Sequence, residues 1–252
     1  MPMHVIPLEG LPMVQPGDDL ATLLLQSLRQ AGIDLIDGDI LCLAQKIVSK
    51  AEGRQIKLDS ITASSKAVEL GTLTDKDPRM VQLVLDESTN ILRTRPGALI
   101  VRHRLGFVGA NAGIDQSNVD HRGGESALLL PVDPDASAAR IRAAVYGATG
   151  KHCGVIITDS HNRPWRLGTI GAAIGSAGVR VLQDHRGGHD IFGRELKVTL
   201  INRADAIATA ATLLMGETTE RIPAAVVRGL PPDDTADTAQ LINRPLEEDL
   251  FK

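Results

Sequence analysis

Two spacings of apolar residues recur along the chain and predict a protein that mixes helices and strands. Apolar residues three or four positions apart mark one helix face, and they first appear between Leu20 and Leu28, after the helix-starting sequence at 16–19. Short apolar runs between polar segments are typical of buried strands, and the run at 153–157 is the strongest. Further helices are expected over 59–71, from 77 onward, over 135–147 and over 204–215, and further strands over 5–8, 39–44, 91–93, 99–102, 127–131, 196–201 and 224–228.

The segment 105–118 follows neither spacing and has the composition of a ligand-binding loop. It holds three glycines, two asparagines and one acid. Glycine tolerates backbone angles that other residues avoid, so such a loop can bring amides close to a ligand. Asp115 would supply a ligand for a hard cation, and Asn118 would supply an amide. A turn that merely joins two strands explains the pattern equally well.

Two lysines and a serine follow directly after the predicted strand at 39–44. Lys46, Ser49 and Lys50 suit contacts to phosphate, which lysine meets as a mobile point charge. A solvated loop of mixed charge over 45–54 is the more common explanation of this composition.

A second polar group ends the strand at 153–157. Asp159 and Ser160 stand where the strand ends, and sites in sheet proteins often lie at that edge. The neighbouring segment adds Arg163, Arg166 and the only tryptophan of the chain. Glu217, just past a predicted helix, is a second acidic candidate, although a solvated helix end is the plainer interpretation.

The composition of residues 167–190 indicates a structural role and not a catalytic or metal-binding one. Residues 167–179 are rich in glycine and alanine, which predicts tight backbone packing, with another subunit as one partner considered. The pentapeptide DHRGG occurs at 120–124 and again at 184–188, which is too short for a structural repeat and indicates coincidence or a reused turn. His185, His189 and Asp190 could form a metal cluster, but an exposed polar loop is the preferred interpretation.

Composition limits the class of protein. The 252 residues suffice for one large domain or two modest ones, and a net charge of -4 argues against a general nucleic-acid binder. Aromatic residues make up only 2%, so recognition by stacking is not expected. Cys42 and Cys153 lie in apolar runs and are predicted to be reduced core residues. Neither a signal peptide nor a membrane span is predicted, and we expect a cytoplasmic protein.

Five motifs together resemble the coenzyme F-420:L-glutamate ligase family, also called F-420-0:gamma-glutamyl ligase. They are EGLP at 9–12, SKAEGR at 49–54, ANAGIDQSN at 110–118, TDS followed by RPWR at 158–166, and MGE at 215–217. The likeness runs from about residue 5 to about residue 229. The third and fourth motifs in this order are specific, whereas the lysine and glycine segments alone would not be.

The resemblance implies an α+β fold particular to that family, with mixed and antiparallel sheets in an intertwined homodimer. Residues 1–230 would form the ligase domain, with two intimately packed subdomains as one option, and 231–252 a polar, loosely held tail with one short helix. The implied activity is GTP-dependent addition of L-glutamate to coenzyme F-420-0, and then of further gamma-linked glutamates.

The resemblance also implies a role for each matched residue. Asp115 and Asp159 would hold one divalent metal ion and Ser160 and Glu217 a second, with Mg2+ or Mn2+ as the metal and K+ as a further candidate ion. Asp115, Asp159 and Lys50 would be catalytic, and Arg163 and Arg166 could hold a carboxylate or phosphodiester of the substrate. The GTP site would be lined by Leu11, Pro12, Met13, Val14, Gln45, Lys46, Lys50, Asn118, Met215 and Gly216.

The implied chemistry agrees with the residue types, and two other functions use the same residues. A carboxylate becomes an acyl donor only after phosphorylation, and Lys50 together with metal ions would neutralise the transferring phosphoryl group. A metal-dependent phosphohydrolase would need the same acids, and a nucleotide-binding regulatory module would need the binding residues alone. Three positions depart from the family pattern: Gln45 and Lys46 stand where some relatives carry small hydroxyl residues, and Asn162 replaces the usual glycine.

Overall fold

The computed structural model describes residues 2–162, 165–233 and 235–249, which form twelve strands, six helices and four short 3₁₀ turns. The strands are β1 His4–Pro7, β2 Ile40–Ala44, β3 Gln55–Lys57, β4 Ser88–Arg95, β5 Ala98–His103, β6 Val108–Ala110, β7 Ser126–Leu128, β8 Gly154–Asn162, β9 Thr169–Ala177, β10 Leu182–Asp184, β11 Leu200–Asn202 and β12 Ala224–Arg228. The helices are α1 Leu20–Gln30, α2 Gln45–Ala51, α3 Ser65–Thr74, α4 Pro78–Asp86, α5 Pro134–Thr149 and α6 Arg203–Met215, and the 3₁₀ turns are Leu58–Ser60, Asn111–Gly113, Ala239–Ile242 and Leu246–Glu248.

Helix boundaries follow capping residues that the sequence displays. The Asp19 carboxylate accepts a hydrogen bond from the Ala21 amide and begins α1, and Asp77 begins α4 in the same way before a proline at the first helical position. Asp133 caps α5, which ends at Gly150 in the left-handed conformation. These three helices were predicted, and the predictions are confirmed.

The central sheet has five strands in the order β1-β12-β2-β8-β9. Only β2 and β8 pair in parallel, and their neighbours are antiparallel. The sheet is therefore mixed, as the resemblance implied. Because β2 and β8 are parallel, both run toward the same side of the sheet; β2 ends beside Thr158 and leads directly into α2, whereas β8 continues to Asn162.

Alternate residues of the central sheet pack into two different cores. Leu41, Leu43 and Ile157 face α1 and α5 on one side, whereas Cys42 and Ile156 face α6 on the other. A third core lies outside this sheet, between α3, α4, β5 and β7. Both cysteines are buried and free, which confirms their prediction as core residues.

Three segments differ from their predictions. Residues 45–51 form α2 and not a loop; the alanine before the helix provides no side-chain cap. The helix predicted over 59–71 is a 3₁₀ turn at Leu58–Ser60 followed by α3, because Ser64 caps the helix later in the chain. The strand predicted over 196–201 forms only at β11, which pairs with β10.

The glycine-rich segment 167–179 contains β9, a strand that the sequence analysis missed. Its glycines allow tight packing, as predicted, but the partners are helices of the same chain. A Cβ atom on Gly171 would lie 2.6 Å from the carbonyl oxygen of Ala208 in α6, and one on Gly175 would lie 2.5 Å from that of Pro134 in α5. The strand is therefore covered on both faces at these positions.

The carboxyl-terminal segment, for which a loosely held tail was predicted, makes specific contacts with the rest of the chain. Arg203 pairs with Asp233, and Asp249 lies 2.9 Å from the guanidinium of Arg102. Asn243 donates a hydrogen bond to the Leu105 carbonyl oxygen. The tail contains two 3₁₀ turns where one short helix was expected. Within the ranges described, no helix combines the length and apolarity needed to cross a bilayer.

Candidate functional site

A cavity of about 570 Å3 opens in the central sheet where β2 ends at Ala44, beside Thr158 of β8. Its walls come from the loop after β1, from α2, from β8 and from the segment that follows α6. Parts of the chain more than 200 residues apart thus meet at one opening. The predicted site residues that line it are Leu11, Pro12, Met13, Val14, Gln45, Lys46, Lys50, Asn118, Asp159, Ser160, Met215, Gly216 and Glu217.

Asp115 lies against the residues that begin α2. Its Oδ2 atom is 2.9 Å from the Lys46 ammonium and accepts a hydrogen bond of 3.0 Å from the Gln45 amide. Backbone hydrogen bonds in both directions with Leu128 fix the position of Asp115. The preceding 3₁₀ turn, Asn111–Gly113, holds all three residues at positive φ, which explains the small and amide residues of this loop.

The side chain of Gln45 is fully used inside the protein. It is 1% exposed, and its carbonyl oxygen accepts a hydrogen bond of 2.8 Å from the Ser49 hydroxyl. Its amide nitrogen donates to Asp115, as described above. Gln45 lines the cavity where a nucleotide-binding residue was predicted, but its side chain orients Asp115.

Asp159 is the second acid of the site and has one side-chain partner among the described residues. The Nε2 atom of His161, two positions along the same strand, lies 3.1 Å from its Oδ2 atom. The histidine ring in turn packs against Phe107, with ring centroids 4.9 Å apart. Gly113 approaches closely as well, because a Cβ atom there would lie 3.4 Å from Asp159 Oδ2.

The acids of the site affect one another's ionisation. Burial raises the pKa of Asp115, and the neighbouring Asp159 raises it further, while Lys46 and the Gln45 amide oppose this. Burial also raises the pKa of Glu217, and the charges of Asp159 and Asp115 contribute in the same direction. The cationic side chains close to these acids leave their negative charge only partly balanced.

The donors at this edge fit a hard divalent cation. Carboxylate and hydroxyl oxygens are the ligands that Mg2+ and Mn2+ prefer, and a cation would balance the charge that raises the pKa of Asp115 and Glu217. Ser160 lowers the pKa of Glu217 and so opposes its rise, which places these two predicted ligands of a second metal close together. Among the described residues, no three His, Cys, Asp or Glu side chains form a ready-made ligand cluster, at 185–190 or elsewhere.

Lys50 connects three walls of the cavity. Its ammonium donates a hydrogen bond of 2.8 Å to the Asn118 carbonyl oxygen, and the Asn118 amide donates one of 3.1 Å to the Thr218 carbonyl oxygen. Burial lowers the pKa of Lys50, and the charge of Lys46 one helical turn away lowers it further. An anionic ligand would relieve this repulsion between two lysines.

Of the two predicted substrate arginines, the structure describes only Arg166, and it does not line the cavity. Arg166 is exposed, and Arg163 lies outside the residues that the structure describes. Two other cations line the cavity and were missed, Arg122 and Arg221.

The DHRGG pentapeptides are a reused turn, one of the two interpretations left open. Arg122 binds Asp120 through both its amide and its guanidinium, with a shortest distance of 2.6 Å. Arg186 and Asp184 repeat this arrangement with the same shortest distance. Only the first copy borders the cavity. Its position there follows from the sheet pairing of β3 with β7, which no local pattern reveals.

The fold and the cavity define a class: an α+β protein whose sheet edge combines clustered acids with lysines, as sites for phosphorylated ligands do. Comparison with known proteins narrows that class. Residues 10–229 match the model of the family described as F420-0:Gamma-glutamyl ligase.

Curated relatives agree over nearly the whole chain. The chain is 42% identical to coenzyme F420:L-glutamate ligase of Methanothermobacter thermautotrophicus, over 100% of both chains. It is 43% identical to the enzyme of that name from Methanopyrus kandleri, over 98% of this chain and 96% of the relative. The Archaeoglobus fulgidus relative of the same name is 45% identical over 91% and 89%. The chain belongs to the F420-0:gamma-glutamyl ligase family.

Proposed function

We propose that the protein catalyses GTP-dependent ligation of L-glutamate to the lactyl carboxylate of coenzyme F420-0, followed by gamma-linked addition of further glutamates, in coenzyme F420 biosynthesis. The observation that carries the proposal is the group of acids at the edge of the sheet. The charge of Asp159 raises the pKa of both Asp115 and Glu217, and Lys46 and Lys50 lie beside them. The relatives named above are ligases of this substrate by their names. Residues 1–230 are proposed as the ligase domain.

The nucleotide would occupy the cavity with its phosphates toward α2. Lys46 and Lys50 project from one face of that helix, and their two positive charges attract a polyphosphate. The carbonyl oxygen of Asn118 holds Lys50 at the wall, so the ammonium is oriented before the ligand enters. The predicted loop at 11–14 and Met215 with Gly216 would form the remaining walls.

Metal ions complete the charge balance in this proposal. Asp115 and Asp159 would hold one Mg2+ or Mn2+ ion, and Ser160 and Glu217 a second, with K+ as a further candidate ion. When bound, the metal ions neutralise the phosphate oxygens and favour phosphoryl transfer. Gln45 and His161 hold the two aspartates in place through the hydrogen bonds described above.

Two bond exchanges account for the ligation. An oxygen of the lactyl carboxylate bonds to the γ-phosphorus of GTP, and the bond to GDP breaks. The amine nitrogen of glutamate then bonds to the acyl carbon, inorganic phosphate leaves, and the amine gives up its proton. Catalysis of the first step is mainly positioning and charge neutralisation, for which Lys50 and Lys46 are suited. Arg163 and Arg166 are proposed to bind a carboxylate or phosphodiester of the acceptor.

A homodimer is proposed as the working form. Several large apolar side chains outside the central cores are exposed, and burying them between two copies of the chain would remove them from water. Two groups can be distinguished, one near the carboxyl end of α6 and one in the segment between β10 and β11. Leu213 belongs to the first group, and Ile191, Phe192 and Val198 belong to the second.

The decisive experiment incubates the protein with coenzyme F420-0, GTP, L-glutamate and Mg2+ or Mn2+, followed by mass spectrometry. A mass gain of one or more glutamyl units, abolished by Asp159→Asn, is expected. Phosphate release without a glutamyl product would favour the phosphohydrolase instead. Nucleotide binding without either product would favour a regulatory module.

A further inference from the structure

A hydroxyl group in the cavity wall has no partner within the protein. Among the described residues, four buried side-chain polar atoms lack a hydrogen bond, namely those on His103, Asn111, Thr158 and Ser176. Of these residues only Thr158 lines the large cavity. The threonine is 4% exposed. Leaving a buried hydroxyl unpaired costs about 1–3 kcal/mol, so such a group calls for a partner.

The sheet itself offers Thr158 no side-chain partner. In the register of the central sheet, Thr158 stands opposite Ala44 on β2 and opposite Ala173 on β9. Neither alanine has a polar side-chain atom. The register between β8 and β9 also shifts between Ile157 and Thr158, and such bulges redirect side chains beside active sites. The described residues thus offer the hydroxyl no partner, and the cavity that Thr158 borders is where a ligand would supply one.

A purely structural role does not account for a threonine here. The β-branched shape suits a strand, but valine has the same shape and would leave no polar atom unpaired. The position next to Asp159 and Ser160 places the hydroxyl among groups that suit an anionic ligand with its counter-ion. Lys46, on the neighbouring wall, supplies positive charge to such a ligand.

We propose that the Thr158 hydroxyl donates a hydrogen bond to an anionic oxygen of the molecule that occupies the cavity. That oxygen belongs either to a phosphate of the nucleotide or to the carboxylate of the acceptor. The identity of these two ligands rests on the proposed function. Thr158 is thus an additional ligand-binding residue, beyond the residues that the family resemblance assigned.

The test compares Thr158→Val, which keeps the shape and removes the hydroxyl, with Thr158→Ser, which keeps the hydroxyl. Binding of a non-hydrolysable GTP analogue with Mg2+ is measured by calorimetry, together with the thermal stability of the unliganded proteins. A hydrogen bond to a charged oxygen predicts affinity about ten- to a hundredfold weaker for the valine variant and nearly unchanged for serine. The melting temperature of the valine variant should be equal or higher, since an unpaired buried hydroxyl has been removed.

The kinetic constants separate the two sources of the anionic oxygen. If the nucleotide is the partner, the affinity for the analogue falls and the KM for coenzyme F420-0 stays the same. If the acceptor carboxylate is the partner, only that KM rises. The inference is overturned if Thr158→Val changes neither quantity. Should Thr158→Val fail to fold, Thr158→Ala is measured in the same way.

The inference can fail separately from the proposed function. If the wild-type protein binds no GTP analogue, the proposed function is wrong, and pyrophosphate with Mg2+ becomes the probe. Weaker pyrophosphate binding by Thr158→Val than by Thr158→Ser would still support the hydrogen bond. Equal pyrophosphate binding by both variants would contradict a hydrogen bond from Thr158 to a phosphate oxygen.

Discussion

The buried acid Glu87 and the half-buried acid Asp115 have different surroundings. Glu87 is 8% exposed, and two arginines contact it, Arg54 at 2.8 Å and Arg104 at 2.9 Å. Asp115 has one cation in contact, Lys46, and a second acid nearby. Positive charge surrounds Glu87, whereas Asp115 has a cation on one side and an acid on the other.

Ionisation reflects this difference. Burial alone would raise the pKa of Glu87, but the His103 ring 3.4 Å away and the hydrogen bonds from the two arginines outweigh it and lower the pKa to about 2. For Asp115 burial prevails, and the pKa is raised. An acid fully balanced by the protein stabilises the fold, whereas an acid left partly unbalanced can bind something from outside. The contrast separates a structural cluster from a binding site.

The largest expected effect is the loss of activity in Asp115→Asn. The amide keeps the shape but removes the negative charge that a metal ion would need, so we expect kcat/KM of glutamyl transfer to fall by about a thousandfold or more. Stability in urea should stay the same or rise, because a raised pKa shows that the charged form is disfavoured in the folded protein. A large loss of stability would indicate that Asp115, like Glu87, mainly stabilises the fold.

Glu87→Gln should give the opposite result. Removing the acid leaves Arg54 and Arg104 without their counter-charge in a buried setting, and we expect the free energy of unfolding to fall by about 3 kcal/mol. The kcat/KM per folded molecule should stay within a factor of two, measured at a temperature where both proteins are folded. If Glu87→Gln lost activity but kept its stability, the structural role assigned to Glu87 would be contradicted.

The pH dependence of stability gives a finer measure of the same cluster. The folded-state pKa of Glu87 lies below the unfolded value, so its stabilising contribution is present above about pH 4.5 and is lost as the pH falls toward 2. Urea unfolding of wild type and Glu87→Gln across this range should show the two curves converge at low pH. A difference that stays constant down to pH 2 would exclude this linkage.

The smallest expected effect concerns His161, which holds Asp159 in place. Replacing it with phenylalanine keeps a ring against Phe107 but removes the hydrogen bond to the acid. We expect the concentration of Mg2+ needed for half-maximal activity to rise about tenfold, as when the hydrogen-bond partner of a metal ligand is lost. His161→Asn, which can still donate, should restore part of the affinity. Equal behaviour of both variants would indicate that the ring alone matters.

The sequence predicted those elements whose signals are local. The caps at Asp19 and Asp77 and the apolar runs of β2, β8 and β12 lie in the segments that form them. The start of α2 lacks a side-chain cap, and β9 contains glycines and alanines that pack well but have little strand propensity. Their structure depends on neighbours from distant parts of the chain.

In the site, too, local signals were visible in the sequence and long-range contacts were not. Asp115, Asp159 and Glu217 stood out as polar residues at the ends of predicted elements, and their roles came from the family resemblance. Their partners did not stand out, because Gln45 lies 70 positions from Asp115 and meets it only through the fold. The free hydroxyl of Thr158 was invisible for a related reason: a missing partner is apparent only when all neighbours are known.

The strand order of the central sheet has a consequence for how the protein folds. β12, near residue 226, lies between β1 and β2, which come from the first 44 residues. The middle of the sheet therefore cannot close until nearly all of the chain has been synthesised. Such long-range pairing slows folding. A nucleotide analogue that binds only the closed cavity would then report the last step of folding and not an early one.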